Sequence, residues 1–285
     1  MKTQGLVKAA VTGVLLAATS LQTAMAGDYL EMIPDTIREA GVIRNLVTVP
    51  NPPMEMQTEA GETTGFDYDL ALALGEELGI PVETTTTPDF GSMATSLKSG
   101  RVDMLLGAMF DTKTRQESFD FVDYFVTSNQ FMVMKRDAAK FQEITDLCGE
   151  TIVAGGGSAL GDIILQASKD QCDPAGLPAM KIITITGIPA GLIAMRTGRA
   201  AGILLNVENV GSEVKRLPDE LAAVSETFNP NHYGIAVRKD DTGLRDAIQA
   251  GLQALIDNGT YGAIIDKYGL ADGAIPEATL NQALN

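Results

Sequence analysis

Apolar runs with a strand-like period alternate with helix-like runs along most of this chain, and the alternation starts twice. The first start is the run 43–49, followed by a helical run over 67–78 that places three leucines on one face. The second start is the run 151–154, followed by a three-glycine turn and another helical run. Alternation of this kind is typical of helices packed on largely parallel sheets. The sequence therefore predicts an α/β protein with two similar lobes.

The expected elements also show how the lobes are connected. Strands are predicted over 43–49, 82–86, 103–109, 131–135, 151–154, 181–186, 202–206, 221–225 and 233–238, and helices over 67–78, 92–99, 112–117, 158–168, 189–197, 207–216 and 242–257. The last helix has no partner left in the second lobe, so the chain must return to the first. We therefore expect a bilobal fold with mixed sheets, joined by two crossover strands. Lobe 1 should comprise 27–130 and 232–285, and lobe 2 should comprise 131–231. Ligands of such proteins bind between the lobes.

The first 26 residues have the features of a secretory signal peptide. Lys2 and Lys8 precede the apolar run 9–18, and the small-residue sequence Ala24-Met25-Ala26 follows it. The apolar run is about half of the ~20 residues that a membrane-spanning helix needs. We therefore expect cleavage after Ala26 and export of the remaining chain to the periplasm.

The charge and the cysteine and histidine content limit which partners, metals and cofactors the chain can bind. The formal net charge of the chain is −16, and the predicted leader contributes two lysines to its positive side, so nucleic acid and anionic membranes are poor partners. With His232 as the single histidine, we expect no metal site, and no motif indicates a cofactor. Two cysteines in an exported chain favour a structural disulfide between Cys148 and Cys172.

Five segments resemble the bacterial extracellular solute-binding proteins of family 3, which serve polar amino acid importers. The segments are Gly65–Leu70, Ser99–Asp103, Thr112–Arg115, Gly149–Ser158 and His232–Lys239, and they occur in the family's order. The resemblance implies the type II periplasmic-binding-protein fold. It also implies a monomer that is not an enzyme and that hands a small amino-acid-like zwitterion to an ABC transporter membrane permease.

The resemblance assigns four ligand-binding positions to the first lobe. Arg115 is expected to grip the ligand carboxylate with its planar guanidinium, although an arginine at the start of a short helix is more often simply solvated. Phe90, which would otherwise be read as core, is expected to cover the ligand side chain. Ala108 and Phe110 belong to a segment whose main chain offers the ligand a carbonyl and an N–H. Asp67 resembles a helix-capping residue.

The second lobe is expected to present a helix N-terminus to the same ligand. Ser158 and Ala159 follow the three-glycine turn and open the helical run 158–168. Unpaired N–H groups at such a position attract an anion, here the ligand carboxylate. A turn of three glycines can also be only a turn.

Three expected ligand-binding positions depart from the family pattern. Relatives usually carry an aspartate at Asn206, where it neutralises the ammonium of the ligand. They often have serine or threonine at Phe110 and an aromatic residue at Asn51. An ammonium buried without a counter-charge costs several kcal/mol, so an ordinary α-amino acid should bind poorly unless a neighbouring acid substitutes.

Two explanations of the missing charge remain open. Glu55, Asp111 or Glu208 could supply it. Alternatively, the ligand could carry a delocalised, alkylated or cyclic cation that faces Phe90 and Phe110 through cation–π contact, as a compatible solute or an N-substituted amino acid would.

Two other classes of function compete with solute capture. Some exported relatives of this fold are dehydratases acting on cyclohexadienyl amino-acid precursors, and these require a general acid, for which Glu55 is available. Turnover of prephenate or arogenate would distinguish that class. A ligand-sensing module is the third interpretation, and it predicts a neighbouring transmembrane domain.

Overall fold

The computed structural model describes residues 29–284, so the expected signal peptide lies outside the described residues. The strands are β1 (Ile43–Thr48), β2 (Met56–Gln57), β3 (Thr63–Thr64), β4 (Val82–Thr87), β5 (Met104–Leu105), β6 (Phe119–Met134), β7 (Thr151–Gly155), β8 (Lys181–Ile185), β9 (Gly202–Asn206), β10 (Leu221–Arg238) and β11 (Thr279–Leu280). The helices are α1 (Asp35–Ala40), α2 (Phe66–Leu78), α3 (Gly91–Lys98), α4 (Lys113–Gln116), α5 (Leu160–Gln171), α6 (Ile188–Arg196), α7 (Val207–Arg216), α8 (Thr242–Asp257) and α9 (Thr260–Tyr268). Among these residues, no helix is both long and apolar enough to cross a bilayer.

The sheet order explains the two lobes. The strands follow the order β4-β1-β5-β10-β6-β9-β7-β8, with β11 paired to β6. Pairs β1–β4 and β1–β5 are parallel in the first lobe, as are β7–β8 and β7–β9 in the second. The long strands β6 and β10 are antiparallel and run through both lobes. The predicted bilobal α/β fold with mixed sheets and two crossover strands is confirmed.

The ladder between β6 and β10 becomes irregular where the chain passes between the lobes. Its register shifts between Val224 and Phe228 and again between Phe228 and Asn231. Ser225 and Asn229 have positive φ angles of 66° and 53° within this stretch. The lobe boundaries expected after residues 130 and 231 fall beside these irregularities, and they stay a prediction.

β5, β6 and β10 differ from the strands expected there, and the short strands β2, β3 and β11 were not expected. β6 begins 12 residues before the expected strand 131–135, and β10 is one continuous strand where two were expected. The start of β6 was missed because Asp120 interrupts its apolar pattern, and the ion pairs of Asp120 with Lys239 and Arg245 join distant parts of the chain. β5 has only two residues instead of the expected 103–109, because the N–H and carbonyl of Leu106 bond to the Asn45 side chain rather than to the backbone of a neighbouring strand.

The predicted disulfide is present between Cys148 and Cys172. Cys172 follows the C-terminal end of α5, whereas Ser158 lies just before its N-terminal end. The bond therefore fixes the far end of the helix whose near end faces the other lobe.

Loss of the disulfide is expected to destabilise the protein without weakening ligand capture. The bond joins residues 24 positions apart, and a loop of that size is worth about 3.5 kcal/mol in the chain-entropy model. The Cys148→Ser/Cys172→Ser variant should lose about that much free energy of unfolding in urea titrations, with unchanged ligand affinity. Two free thiols in Ellman titration of the unreduced, denatured wild type would contradict the assignment.

Candidate functional site

A cavity of 120 Å³ lies between the two lobes. Its first-lobe lining is Thr48, Pro50, Asn51, Pro88, Phe90, Ala108, Phe110 and Arg115. Its second-lobe lining is Gly155, Gly156, Ser158, Ala159, Leu160, Ile185, Thr186, Gly187, Ile188, Ile203, Leu205, Asn206 and Asn209. All eight residues expected to bind ligand are therefore brought together in one cavity, and their role in binding stays a prediction.

Arg115 is the one charged side chain among the described lining residues. It lies on α4, where Thr112 caps the helix by accepting the Arg115 N–H at 3.2 Å. Its Nη1 donates to the carbonyl of Phe110 at 2.9 Å, and its guanidinium carbon lies 5.7 Å from the centre of the Phe90 ring. Arg115 makes no salt bridge with any residue in 29–284. The cavity therefore contains a fixed cation whose charge is left for a ligand.

Burial lowers the pKa of Arg115 to about 10, and the charge of Asp111 opposes that shift. The guanidinium therefore stays protonated at neutral pH. An anion in the cavity would gain from the low local dielectric as well as from the guanidinium hydrogen bonds.

The segment 108–110 leaves one main-chain acceptor and one donor available. The Ala108 N–H is already engaged, since it donates to Asp67 Oδ2 at 2.8 Å and lies 3.0 Å from the Tyr124 hydroxyl. The carbonyl of Ala108 and the N–H of Phe110 have no hydrogen bond to the described part of the chain. The Phe110 ring stacks on Tyr233 with centroids 5.5 Å apart. This segment can thus offer a ligand one carbonyl and one N–H.

The buried carboxyls under this segment have a structural function. The Asp67 side chain makes no helix cap, contrary to expectation, and instead holds Ala108. Glu55 and Asp67 are both fully buried, and Glu55 Oε1 and Asp67 Oδ1 have no hydrogen-bond partner within residues 29–284. Burial, followed by the charge of Asp67, raises the pKa of Glu55 well above its ordinary value. Burial also raises the pKa of Asp67 to about 7, so neither carboxyl is a fixed negative charge at neutral pH.

Across the cavity, the second lobe presents the N-terminus of α5. Ser158 Oγ donates to the carbonyl of Gly155 at 2.7 Å and accepts the Leu160 N–H at 3.3 Å, so its hydroxyl stabilises the turn. The N–H groups of Ala159 and Gly161 have no hydrogen bond among residues 29–284. Free N–H groups and the helix dipole favour an anion at this end, opposite Arg115.

Asn206 is held by two neighbouring side chains. Its Nδ2 donates to the hydroxyl of Tyr233, and its Oδ1 accepts from Asn129 Nδ2 at 2.8 Å. Although Asn206 is the N-cap of α7, its side chain makes no capping hydrogen bond. Its orientation is therefore set by the contacts with β6 and β10.

None of the three acids considered as counter-charges lines the cavity. Asp111 accepts two hydrogen bonds from Gln116 at 2.8 and 2.9 Å. Glu55 accepts a hydrogen bond from Asn51 Nδ2 at 2.8 Å. Glu208 is buried behind Asn206, with the hydroxyls of Tyr233 and Thr127 as its hydrogen-bond partners.

Besides the hydrogen bonds of Asn206 and Glu208 with β6 and β10, two further contacts join the lobes beside the cavity. Asn209 Nδ2 donates to Asn51 Oδ1 at 3.0 Å and to the Pro52 carbonyl at 2.7 Å. Gly157 approaches Gly91 so closely that a Cβ on Gly157 would lie 2.5 Å from the Gly91 Cα. The structure therefore describes a closed arrangement, in which Asn51 links the lobes.

Comparison with known proteins identifies the family. The sequence profile described as "Bacterial extracellular solute-binding proteins, family 3" matches residues 43–271. The chain belongs to this family. It is 25% identical to the L-cystine-binding protein TcyJ of Escherichia coli K12 over 95% of this chain and 99% of that protein.

Solved structures agree with the family assignment. An ancestral arginine-binding protein bound to arginine has a TM-score of 0.73 and 28% identity, covering 80% of this chain and 98% of the other. An ancestral amino acid-binding protein, AncCDT-1, described as a precursor of cyclohexadienyl dehydratase, has a TM-score of 0.72 and 26% identity, covering 82% and 98%. The predicted family and the type II periplasmic-binding-protein fold are thus confirmed.

Sequence reasoning missed several polar lining residues and the contacts between the lobes. Asn209 lies three positions after Asn206, so helical spacing along α7 places both on one face, and that signal could have been used. Thr186 and Thr48 had no comparable signal. The approach of Gly157 to Gly91 depends on how the lobes meet, which no local pattern encodes.

Proposed function

We propose that this chain is a periplasmic solute-binding protein that captures a small amino-acid-like zwitterion and presents it to an ABC transporter permease. One observation carries the proposal: Arg115 of the first lobe and the free N–H groups of α5 in the second lobe meet at one cavity. The proposal includes cleavage of the signal peptide after Ala26, export of the remaining chain to the periplasm, and a monomeric state. A site formed by both lobes of a single chain needs no second copy.

The proposed mechanism is closure of the lobes around the ligand carboxylate. Arg115 and the Phe110 N–H bind the carboxylate first, and α5 then adds its N–H groups from the opposite lobe. A ligand shifts the balance toward the closed form only by binding that form more tightly than the open one. A carboxylate held from both lobes meets this condition, because half of its partners are absent when the lobes separate.

The described lining supports binding rather than catalysis. A dehydratase needs a general acid within reach of its substrate. The lining residues include no aspartate, glutamate or histidine, and Arg115, with a pKa of about 10, is a poor proton donor at neutral pH. Glu55, the candidate acid, lies outside the lining and is hydrogen-bonded to Asn51.

The cavity favours a ligand smaller than arginine. A protein cavity of about 150 Å³ holds a benzene molecule, and the cavity here measures 120 Å³. A guanidinium tail would find no carboxylate in this cavity, and it would reach Asp162 or Asp170 only by extending into the adjoining open pocket, which shares Phe110, Arg115, Ser158 and Ala159. We therefore propose a short-chain amino acid or a small N-substituted one, bound against Phe90 and Phe110.

A ligand screen tests the proposal. The protein is unfolded and refolded to remove any copurified ligand, then titrated with the L-amino acids, N-methylated amino acids and glycine betaine. At about 100 times Kd a ligand stabilises the folded state by about 2.7 kcal/mol, which for a protein of this size raises Tm by roughly 5–10 °C. We expect at least one small zwitterion to do so, with saturable binding in calorimetry. If the whole panel leaves Tm unchanged, the proposal is wrong.

A further inference from the structure

We propose that Glu208 supplies the negative charge that balances the cation of the bound ligand, acting through Tyr233 and Asn206. This inference rests on the proposed function, because it requires a zwitterion whose carboxylate is held by Arg115. Glu208 is a positioning residue, since it does not line the cavity itself.

The cavity requires such a residue. Arg115 is the one charged side chain among the described lining residues, and it satisfies only the anionic end of a zwitterion. The cationic end would lie in an apolar cavity with no carboxylate in direct reach. A buried cation without a compensating charge or hydrogen bond strongly disfavours binding.

A directed series of hydrogen bonds connects Glu208 to the cavity wall. Asn129 Nδ2 donates to Asn206 Oδ1 at 2.8 Å, and Asn206 Nδ2 donates to the Tyr233 hydroxyl. That hydroxyl donates to Glu208 Oε1, while Thr127 Oγ1 donates to Glu208 Oε2 at 2.7 Å. Every bond donates toward Glu208, and both of its carboxylate oxygens accept. This is the pattern expected around an ionised carboxylate: burial raises the pKa of Glu208, and the hydrogen bonds from Tyr233 and Thr127 oppose that rise.

The series also fixes the orientation of the Asn206 amide. Because the Tyr233 hydroxyl gives its proton to Glu208, it can only accept from Asn206, so the NH₂ group of Asn206 points to Tyr233. The carbonyl oxygen Oδ1 is then the other end of the amide, and it has two acceptor positions, one of which Asn129 uses. One acceptor position is left on a residue that lines the cavity.

The charge of Glu208 strengthens that acceptor. Hydrogen bonds in a series polarise one another, and the effect of a charge is larger in the low dielectric of a buried site. Glu208 is 8% exposed and Tyr233 is fully buried, so water screens the series only weakly. The negative charge therefore acts at Asn206 Oδ1, where a ligand ammonium or N–H can donate.

The other buried acids do not reach this wall. Glu55 accepts from Asn51 Nδ2 and Asp67 accepts from the Ala108 N–H, so both acids reach the first-lobe side of the cavity. Burial raises the pKa of both carboxyls, to about 7 for Asp67 and well above its ordinary value for Glu55, which weakens either as a fixed negative charge. Neither has a hydrogen bond to Asn206 or Tyr233, so Glu208 is the acid whose hydrogen-bond route ends at Asn206.

Glu208 also bridges β6 and β10 through Thr127 and Tyr233, so a purely structural role must be distinguished. The test compares the affinity for an amino acid with the affinity for a carboxylate of similar shape that lacks the cationic nitrogen. A loss of structure would weaken both affinities. The probe pairs are L-alanine with propionate, L-valine with 3-methylbutanoate, and L-proline with cyclopentanecarboxylate. Calorimetric titration uses the pair whose amino acid binds the wild type most tightly.

We expect Glu208→Gln, which keeps the shape of the side chain, to weaken the amino acid by about tenfold or more. Its affinity for the matched carboxylate should change less than about threefold.

Asn206→Asp added to Glu208→Gln should restore the amino acid affinity, because it returns the charge at the cavity wall. Thr127→Val is the control. It removes a hydrogen bond from Glu208 and keeps the charge, so the affinity for the amino acid should stay close to that of the wild type. Asn206→Leu, which removes the acceptor, should also weaken only the amino acid, and it serves if Glu208→Gln does not fold.

The outcomes separate this inference from the proposed function. If the wild type binds no member of the whole ligand panel, the proposed function fails and the inference with it. If it binds only ligands without an N–H, such as glycine betaine, the proposed function stands and the role of Glu208 is overturned. If the wild type binds amino acids and Glu208→Gln binds them equally well, or weakens both members of a pair alike, only the role of Glu208 is overturned.

Discussion

Replacing Arg115 by alanine is expected to abolish ligand binding while leaving the fold intact. The guanidinium is the one charged group among the described lining residues and makes no salt bridge within residues 29–284. Removing one partner of a buried charge pair typically costs about 3–5 kcal/mol, and each 1.4 kcal/mol is a factor of about ten in Kd. We therefore expect a loss of affinity of at least about 100-fold in calorimetry.

The stability of the same variant provides the control. Arg115 makes no salt bridge within residues 29–284, and Asp111, whose charge acts on it, accepts its hydrogen bonds from Gln116, so removal of Arg115 leaves no carboxylate unpaired. The free energy of unfolding without ligand should change by less than about 1 kcal/mol. Arg115→Lys keeps the charge but loses the planar fork, so its affinity should lie between those of the wild type and the alanine variant. Wild-type affinity in Arg115→Ala would place the ligand elsewhere.

Local sequence signals were sufficient for the elements whose apolar period is uninterrupted. The expected bounds of β9, α7 and α8 agree with the structure at both ends. The beginning of β6 could not be predicted in this way, because Asp120 and Asp123 interrupt the otherwise apolar stretch 119–126. The partners of Asp120 are Lys239 and Arg245, more than 100 residues away along the chain. A strand of this kind is recognisable only once its tertiary neighbours are known.

The candidate site was likewise predictable only in part. The resemblance to the family was enough to predict eight residues that line one cavity. They lie in or beside elements whose order the family shares. The series from Asn206 through Tyr233 to Glu208 could not be read from the sequence. It joins β9, β10 and α7, and its residues satisfy one another only when the strands that pass between the lobes are in place.

Replacing Gly157 by alanine is expected to weaken ligand binding by preventing full closure of the lobes. A Cβ at this position would lie 2.5 Å from the Cα and 2.9 Å from the nitrogen of Gly91. Backbone atoms cannot turn aside as a flexible side chain can, so the lobes must stay further apart. Overpacking of this severity typically costs about 1–3 kcal/mol, which corresponds to a loss of affinity of roughly 5- to 150-fold if it is confined to the closed form.

The matched control for Gly157→Ala is Gly198→Ala, which separates the clash from backbone strain. Gly157 and Gly198 have nearly equal φ angles of +72° and +71°, but a Cβ on Gly198 meets nothing within 4 Å. Backbone strain from alanine should therefore lower the free energy of unfolding of both ligand-free variants by a similar amount, about 1–2 kcal/mol. Only Gly157→Ala should lose affinity and keep a larger radius of gyration in X-ray scattering at saturating ligand. Equal affinities in the two variants would mean that ligand binding does not require Gly157 and Gly91 to touch, and the closed arrangement would then not be the ligand-bound form.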